Sequence, residues 1–277
     1  MKHETYESAY KDPRHFSFGK NWQNFLKNLN DEKINEAKKS LVEFLGGEDK
    51  IKGKTFVDIG CGSGLFSLAA YLLGVKEIIS VDVDEFSIAC AKHLKEEKGN
   101  PENWQIKQGS ALDEKFVKSL GKFDIVYSWG VLHHTGDMHK AFENVINLVG
   151  EGGIFYLAIY NKNEKCLFEG TSKFWLRVKK IYNSSNLLVK KMMEVGYVFY
   201  YVTGLIVHFI NPFKYIKNYV SLRGMSFYTD IKDWLGGYPY EFATIDEIKD
   251  FFKKYNLKCI KYKEVRSIGC NEFLLLK

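Results

Sequence analysis

The sequence predicts an α/β protein built on a doubly wound, mostly parallel sheet. Three observations carry that prediction. Between Thr55 and Tyr160 short apolar runs alternate repeatedly with helix-like stretches. Those runs are too apolar to face water, as strands covered by helices on both sides must be. The chain then closes with one helix-like stretch and two strand-like runs near enough to pair as a hairpin.

Before any strand, Phe18, Trp22, Phe25 and Leu29 recur at helical spacing. Ile34, Ala37, Leu41, Phe44 and Leu45 do so again after an Asp31 cap, and Gly46 and Gly47 end the run. Two amphipathic helices therefore form an N-terminal lid over residues 1–50. From Lys54 the period changes. TFVDIG is a strand, LFSLAAYLLG a helix closed by Gly74, EIISVDVD a strand and FSIACAKHLKEEKG a helix. WQIKQGS, a charged helix near Asp113 to Leu120, FDIVYSWG, a helix from about Asp137 to Val149, and GGIFYLAIY complete the alternation.

Across residues 161–230 the alternation stops and the sequence becomes aromatic and helix-like, as expected of a helical cap inserted between strands five and six. TIDEIKDFFKKYNL then reads as a capped helix, followed by strands CIKYKEV and NEFLLLK. The core is thus expected over 51–160 and 231–277.

Composition narrows the function classes. Five cysteines (Cys61, Cys90, Cys166, Cys259 and Cys270) occur without a C-x-x-C pair, which argues against a zinc cage or a disulfide framework and for a reducing, cytoplasmic setting. The polar start MKHETYESAYKDPRHF has no apolar core of a signal peptide. Net charge is +6, yet from Lys162 to Asp230 there are 11 basic and 4 acidic residues, which places the whole basic excess in the insertion. An anionic partner would be met there, or the charges form a solvated helical face.

The most specific motif is VDIGCGSGLFS, residues 57–67. Gly60, Gly62 and Gly64 between an apolar strand and a helix let the backbone turn tightly and approach a ligand at the helix N-terminus. The spacing G-x-G-x-G departs from the dinucleotide fingerprint, and Asp58 lies inside the strand. Asp82 ends the next strand, where a carboxylate can accept both hydroxyls of a ribose. Asp84 reads as a helix cap.

These residues resemble the class I S-adenosylmethionine-dependent methyltransferases, whose first motif has this acid-x-glycine-x-glycine-x-glycine form. The resemblance implies a Rossmann-like seven-stranded sheet with an antiparallel last strand, and S-adenosylmethionine as cofactor. It implies that Gly60, Cys61, Gly62 and Gly64 face the methionine moiety with Asp58 beneath, that Asp82 and Val83 meet the ribose, and that Ser110 and Ala111 sit beside the adenine. Ser128 and Trp129, at the end of FDIVYSWG, would line the wall of the cleft. FSFGKNW, the stretch from Arg223 to Thr244 and the terminal IGCNEF also resemble a bacterial subgroup akin to quinone-biosynthesis methylases.

YSWGVLHHTGDM places His133 and His134 just past the fourth strand. Adjacent residues point apart, and no ligand cluster accompanies them, so no metal is expected. A proton-accepting role suits histidine where the acceptor is a hydroxyl, acid or protonated amine. His133, nearer the strand end, is the first choice, with His134 second and Glu241 or Asp233 as alternatives. Packing against adenosine or capping of the next helix is the plainer reading of the pair, and a surface ion pair or loop-tying hydrogen bond that of the acids. Arg223 would clamp an anion.

In the insertion, Phe174, Val178 and Ile181 fall on one face of a helix with lysines opposite. Val195 to Phe213 carries no formal charge and is flanked by Lys190, Lys191, Lys214 and Lys217. A buried cap helix is preferred there over an interfacial membrane helix, and both over a membrane span. Arg223 to Thr244 reads as a loop closing over the cleft.

The function expected is methyl transfer to an O or N atom of a small or amphiphilic acceptor, in the cytoplasm or peripheral to a membrane. The rivals are an RNA methyltransferase and a non-catalytic cofactor-binding or membrane-associated scaffold. Nucleic acid is disfavoured because no Asn/Asp-Pro-Pro-aromatic stretch and no Pro-Cys pair occurs.

Overall fold

A computed structural model of the chain describes residue 16 and residues 18–165, 170–219 and 226–277. Cys166 and Arg223, weighed above, lie outside them. Helix α1 (Gly19–Leu26) and helix α2 (Asp31–Leu45) precede the sheet. The cap of α2 is Asn30, whose side chain accepts from the Lys33 amide at 3.0 Å, and Asp31 is the first helical residue. The acid therefore favours the helix through its dipole. Gly46 closes α2 with φ 94°, a left-handed conformation that glycine adopts without strain.

The sheet and its helices follow as β1 (Thr55–Ile59), α3 (Leu65–Leu72), β2 (Glu77–Asp82), α4 (Glu85–Glu97), β3 (Trp104–Gln108), α5 (Glu114–Ser119), β4 (Phe123–Trp129), α6 (Met138–Ile146) and β5 (Val149–Tyr160). The cap contributes α7 (Ser172–Ser184), α8 (Leu187–Val207), α9 (Pro212–Lys217) and α10 (Phe227–Gly236). The chain ends with α11 (Ile245–Lys253), β6 (Lys258–Lys263) and β7 (Cys270–Leu276). Seven strands lie in the order β3-β2-β1-β4-β5-β7-β6, with β7 antiparallel to both neighbours and the rest parallel. Thr244 and Glu247 form a reciprocal capping box at α11.

Strand alternation splits the core into two layers. Val57, Val126, Phe155 and Phe273 pack with Phe142 of α6 and Phe252 of α11 on one face. Phe56, Ile125, Tyr156 and Leu274 pack with Leu41 and Phe44 of α2 and Leu68 of α3 on the other. Neighbouring residues of one strand thus enter opposite layers, the period-two rule of a doubly covered sheet.

The cap has a third core, built on Trp175, Tyr182, Phe227, Ile231, Leu235 and Tyr240. In α7 the buried stripe is Trp175, Lys179 and Tyr182, while Phe174 and Ile181 are exposed. The aromatic stripe outweighs the aliphatic one because each large ring removes more area from water. The uncharged run is not one buried helix: α8 ends at Val207, α9 starts at Pro212, and only Glu194 and Leu205 of α8 are buried. The stretch after Ser226 forms α10 rather than a loop, with the Ser226 side chain capping the Thr229 amide at 3.1 Å. Phe227, Ile231 and Leu235 bury one side of it, so apolar burial one turn apart overrides the turn signal of Gly236 and Gly237.

Candidate functional site

The carboxyl ends of β1, β2 and β4 meet where the strand order reverses, the place where open α/β sheets bind ligands. The Gly60 and Cys61 amides both donate to the Val81 carbonyl, at 2.8 and 2.9 Å, which folds the loop back over β2. Gly64 has φ 80°, and a Cβ there would lie 2.9 Å from Ala91 Cα, so glycine is required for α3 and α4 to approach. A Cβ on Gly60 would meet the Val131 side chain at 2.3 Å. Cys61 is buried, and burial pushes its thiol well above the ordinary range, so it stays protonated.

Asp82 fixes the loop from below. Its two carboxylate oxygens accept from the Gly62 and Asp84 amides, each at 2.9 Å. Burial nevertheless raises its pKa to about 6. Asp58 is fully enclosed within β1 and accepts from the Ser67 hydroxyl at 2.6 Å. Ser67 in turn accepts from Ser80 at 2.7 Å, and Ser80 from the Trp104 indole at 2.8 Å. Burial raises Asp58 to about 7, and the neighbouring Asp82 charge adds to the effect. Two carboxyls under one glycine loop repel each other and favour a cation above them.

The remaining cofactor-side residues line the same edge. The Val83 carbonyl accepts from the Gln108 side chain at 3.1 Å. Ser110 Oγ accepts from the Leu112 amide at 3.1 Å, and the Ala111 carbonyl from Asn144 of α6 at 2.8 Å. Ser128 donates to the Ile59 carbonyl at 2.9 Å, tying β4 to β1, and Trp129 beside it is exposed. Asp84 caps α4 through the Phe86 and Ser87 amides. Trp22 of α1 covers the loop, its ring 3.0 Å from where a Gly62 Cβ would stand.

This donor set fits S-adenosylmethionine. Asp82 has used two of its four lone-pair positions on amides, which leaves two for a ribose diol. The paired carboxyls suit a sulfonium and an ammonium, and the Trp22 ring offers a face to stack on.

The two histidines lie at the end of β4 with opposite hydrogen bonding. His133 is fully buried, its Nδ1 accepts from the Tyr160 amide at 3.3 Å, and Nε2 therefore carries the proton. That N–H meets no acceptor among the described residues. Burial first, then the nearby His134 and Lys179, hold His133 well below the usual range, so it stays neutral. His134 Nδ1 lies 2.5 Å from the Pro239 carbonyl, an acceptor only, so Nδ1 carries a proton.

Around His133 stands an aromatic box that composition and spacing did not reveal. Tyr160 packs on the His133 ring at 4.2 Å and on Tyr240 at 4.8 Å. Lys179 Nζ sits 4.1 Å from the Trp234 ring centroid and 4.9 Å from that of Tyr240, and donates to the Trp234 carbonyl. Lys179 is fully buried, and burial lowers its pKa to about 7. The Trp234 indole N–H is buried without a partner among the described residues. A lysine at i+4 and a tyrosine at i+7 from Trp175 was the available sequence signal.

The acids occupy positions that hold the structure. The Glu241 carboxylate accepts from the Met138 amide at 3.1 and 3.2 Å, at the start of α6, and the Glu241 amide donates to the His133 carbonyl at 2.9 Å. Burial lifts Glu241 to about 7 despite that bond. Asp233 of α10 accepts from the Asn21 side chain of α1, joining lid to cap, and burial raises it to about 7 as well.

Comparison with known proteins agrees with this geometry. A family model described as a methyltransferase domain matches residues 50–198. The ribosomal protein L11 methyltransferase of Staphylococcus aureus is 35% identical over 104 residues, covering 36% of this chain and 30% of that protein. The ubiquinone biosynthesis O-methyltransferase of Coxiella burnetii is 29% identical over 124 residues, covering 45% and 51%. The chain therefore spans about half or less of these curated relatives. The crystal structure of magnesium protoporphyrin IX methyltransferase from Synechocystis, with SAH bound, superposes with a TM-score of 0.57 at 13% identity, covering 98% of this chain and 99% of that one. With more than half its length matched by the family model, the seven-stranded order in place and an acid-and-glycine loop suited to S-adenosylmethionine, the chain belongs to the class I S-adenosylmethionine-dependent methyltransferase family.

Proposed function

We propose that this chain transfers a methyl group from S-adenosylmethionine to an oxygen or nitrogen of a small acceptor held between the end of β4 and the cap. The observation that carries the reading is that the segment after β4 touches both parts: the Val131 side chain stands against Gly60 of the glycine loop, and His133, two residues on, packs in the box of Tyr160, Trp234 and Tyr240. When bound, the cofactor supplies an electrophilic methyl on a sulfonium. Gly60, Cys61, Gly62 and Gly64 cradle its methionine end over Asp58, Asp82 and Val83 orient the ribose, Ser110 and Ala111 border the adenine, and Ser128 and Trp129 line the wall between cofactor and acceptor. Methyl transfer depends mainly on in-line approach, which a rigid box of rings enforces better than flexible side chains do.

The hydrogen bonding divides the histidine roles. We read His133 Nε2–H, which no described residue accepts, as the donor that orients the acceptor atom, and His134, held by its Nδ1–H bond to the Pro239 carbonyl, as the group that takes a proton from a hydroxyl. His134 is thus proposed for the proton-accepting role for which the sequence puts His133 first. Glu241 acts through the start of α6, as a positioning residue. Aromatic walls suit a planar acceptor, and the name of the Coxiella relative supports an O-methylated one.

Incubation with labelled S-adenosylmethionine and fractionated cell extract tests the reading. Label in a small organic fraction is expected. Label only in RNA, or tight cofactor binding with no labelled product in any fraction, would overturn it.

A further inference from the structure

The insertion carries an apolar surface that the cofactor site does not use. Helix α8 has 21 residues, about 31 Å at 1.5 Å per residue. Its inner side is anchored: buried Glu194 accepts from Tyr182 at 2.8 Å and from Tyr228, and receives Lys191 at 3.1 Å. On the opposite side Leu188, Met192, Val195, Phe199 and Ile206 recur at steps of three, four or seven residues and are all exposed, Phe199 at 74%. Residues at those steps share one side of a helix. The stripe therefore runs the length of α8.

The turn beyond α8 extends the surface. Phe209 adopts φ 58°, a left-handed conformation unfavourable for a bulky L-residue and usually given to glycine at a helix end. It is 99% exposed, and Phe213, at the start of α9, is 87% exposed. Burial of either ring in this fold explains neither the backbone nor the residue type. Exposed Lys214 and Lys217 stand in the same short helix, and Lys173, Arg177 and Lys180 are exposed on α7. From Ser172 to Lys217 there are eight basic residues, of which Lys179 is buried, and one acid, the buried Glu194. The surface is thus apolar with a cationic border.

We propose that the α8 stripe and the Phe209–Phe213 turn seat this protein on an anionic lipid bilayer, with α8 lying in the plane of the headgroups. No helix among the described residues is long and apolar enough to cross a membrane, so the mode is interfacial: rings enter the acyl boundary and lysines meet headgroup phosphates. The border charge favours lipid over a second copy of the chain, since pairing two such faces brings like charges together.

Vesicle flotation of the full chain tests this, with the wild type, the triple variant Phe199→Ser, Phe209→Ser, Phe213→Ser, and the double variant Lys214→Ala, Lys217→Ala. All substituted side chains are exposed, so the fold is expected to persist, which circular dichroism checks. The wild type is expected to float with phosphatidylglycerol-containing vesicles at low salt, to bind less as salt rises, and to stay unbound with pure phosphatidylcholine. Loss of each lysine should weaken partitioning roughly fivefold, and loss of the three rings at least tenfold. Equal binding by wild type and triple variant, or no binding of the wild type to anionic vesicles, would overturn the proposal. So would a dimer, seen by sedimentation, that the triple variant loses. S-adenosylmethionine affinity measured without vesicles is a separate readout, so failure here and failure of the methyl-transfer reading are distinguishable.

Discussion

Lys179 Nζ lies 4.1 Å from the centre of the Trp234 ring and donates to the carbonyl of the same residue, inside a cap core built of rings with Ile231 and Leu235. A buried ammonium keeps part of its hydration loss uncompensated even over a π face. Its pKa of about 7 records that cost.

Lys179→Met should therefore stabilise the fold at pH 7 and below. Each pKa unit corresponds to ~1.4 kcal/mol, so the gain is at most a few kcal/mol. The sign follows from linkage: between pH 7 and the ordinary lysine value near ~10.4 the unfolded chain binds more protons, and wild-type stability rises with pH. Urea midpoints of both proteins from pH 6 to 10 check this, with the two curves converging at the alkaline end. If the acceptor carries negative charge, the variant should also raise its KM while leaving cofactor affinity unchanged.

The carboxyls of the cofactor side titrate in the other direction. Burial raises Asp58 to about 7 and Asp82 to about 6, so the folded protein without ligand binds more protons than the unfolded chain between pH 4 and 7. Stability from these groups is fully present at low pH and declines as pH rises through that window. Thermal melts should show a higher midpoint at pH 5 than at pH 7.5, and Asp58→Asn should flatten the trend. S-adenosylmethionine, whose positive charges relieve the same repulsion, should protect more strongly at pH 7.5 than at pH 5.

Asp82 also tests the cofactor geometry. Asp82→Ala leaves the Gly62 and Asp84 amides without their acceptor and removes the partner of the ribose. Hydrogen bonds to a charged group contribute ~1.5 to 3 kcal/mol each, so calorimetry should show cofactor affinity reduced at least tenfold in a folded variant. Unchanged affinity would detach the glycine loop from cofactor binding.

The cofactor side was legible in sequence because its residues are local: an acid, three glycines and a strand-ending aspartate lie within 25 positions, from Asp58 to Asp82. Asp58 is held by Ser67 at the start of the next helix, and Asp82 by the Gly62 and Asp84 amides. The box around His133 was not legible, because it assembles Tyr160 of β5, Lys179 of α7, and Trp234 and Tyr240 of the stretch at the end of α10. In α7 two stripes, 174/178/181 and 175/179/182, both have helical spacing. Binary patterning sends lysine outward, and only the rings supplied by α10 reverse that choice. For α8 the uncharged composition predicts burial, but burial of the outer face needs a partner surface, and the fold leaves that face exposed.

The histidine pair yields the sharpest contrast between readings. His133 accepts from the Tyr160 amide at Nδ1 and carries its proton on Nε2, whereas His134 donates from Nδ1 to the Pro239 carbonyl. Substitution of the proton acceptor should lower kcat by ~100-fold or more while cofactor affinity changes little. We therefore expect His134→Gln to lower kcat by that factor. His133→Gln, which removes a donor to the acceptor and disturbs a fully buried position, should raise KM and lower thermal stability together, with a smaller change in kcat. Nitrogen-detected NMR supplies a check independent of activity. His133 should appear as the Nε2–H tautomer and remain neutral through pH 6 to 8, because burial opposes its charged form. Glu241→Gln should leave kcat nearly unchanged, since an amide oxygen can still accept from the Met138 amide, whereas Glu241→Ala should destabilise α6 by about 1 kcal/mol. A kcat loss in Glu241→Gln as large as that in His134→Gln would transfer the proton-accepting role to the glutamate.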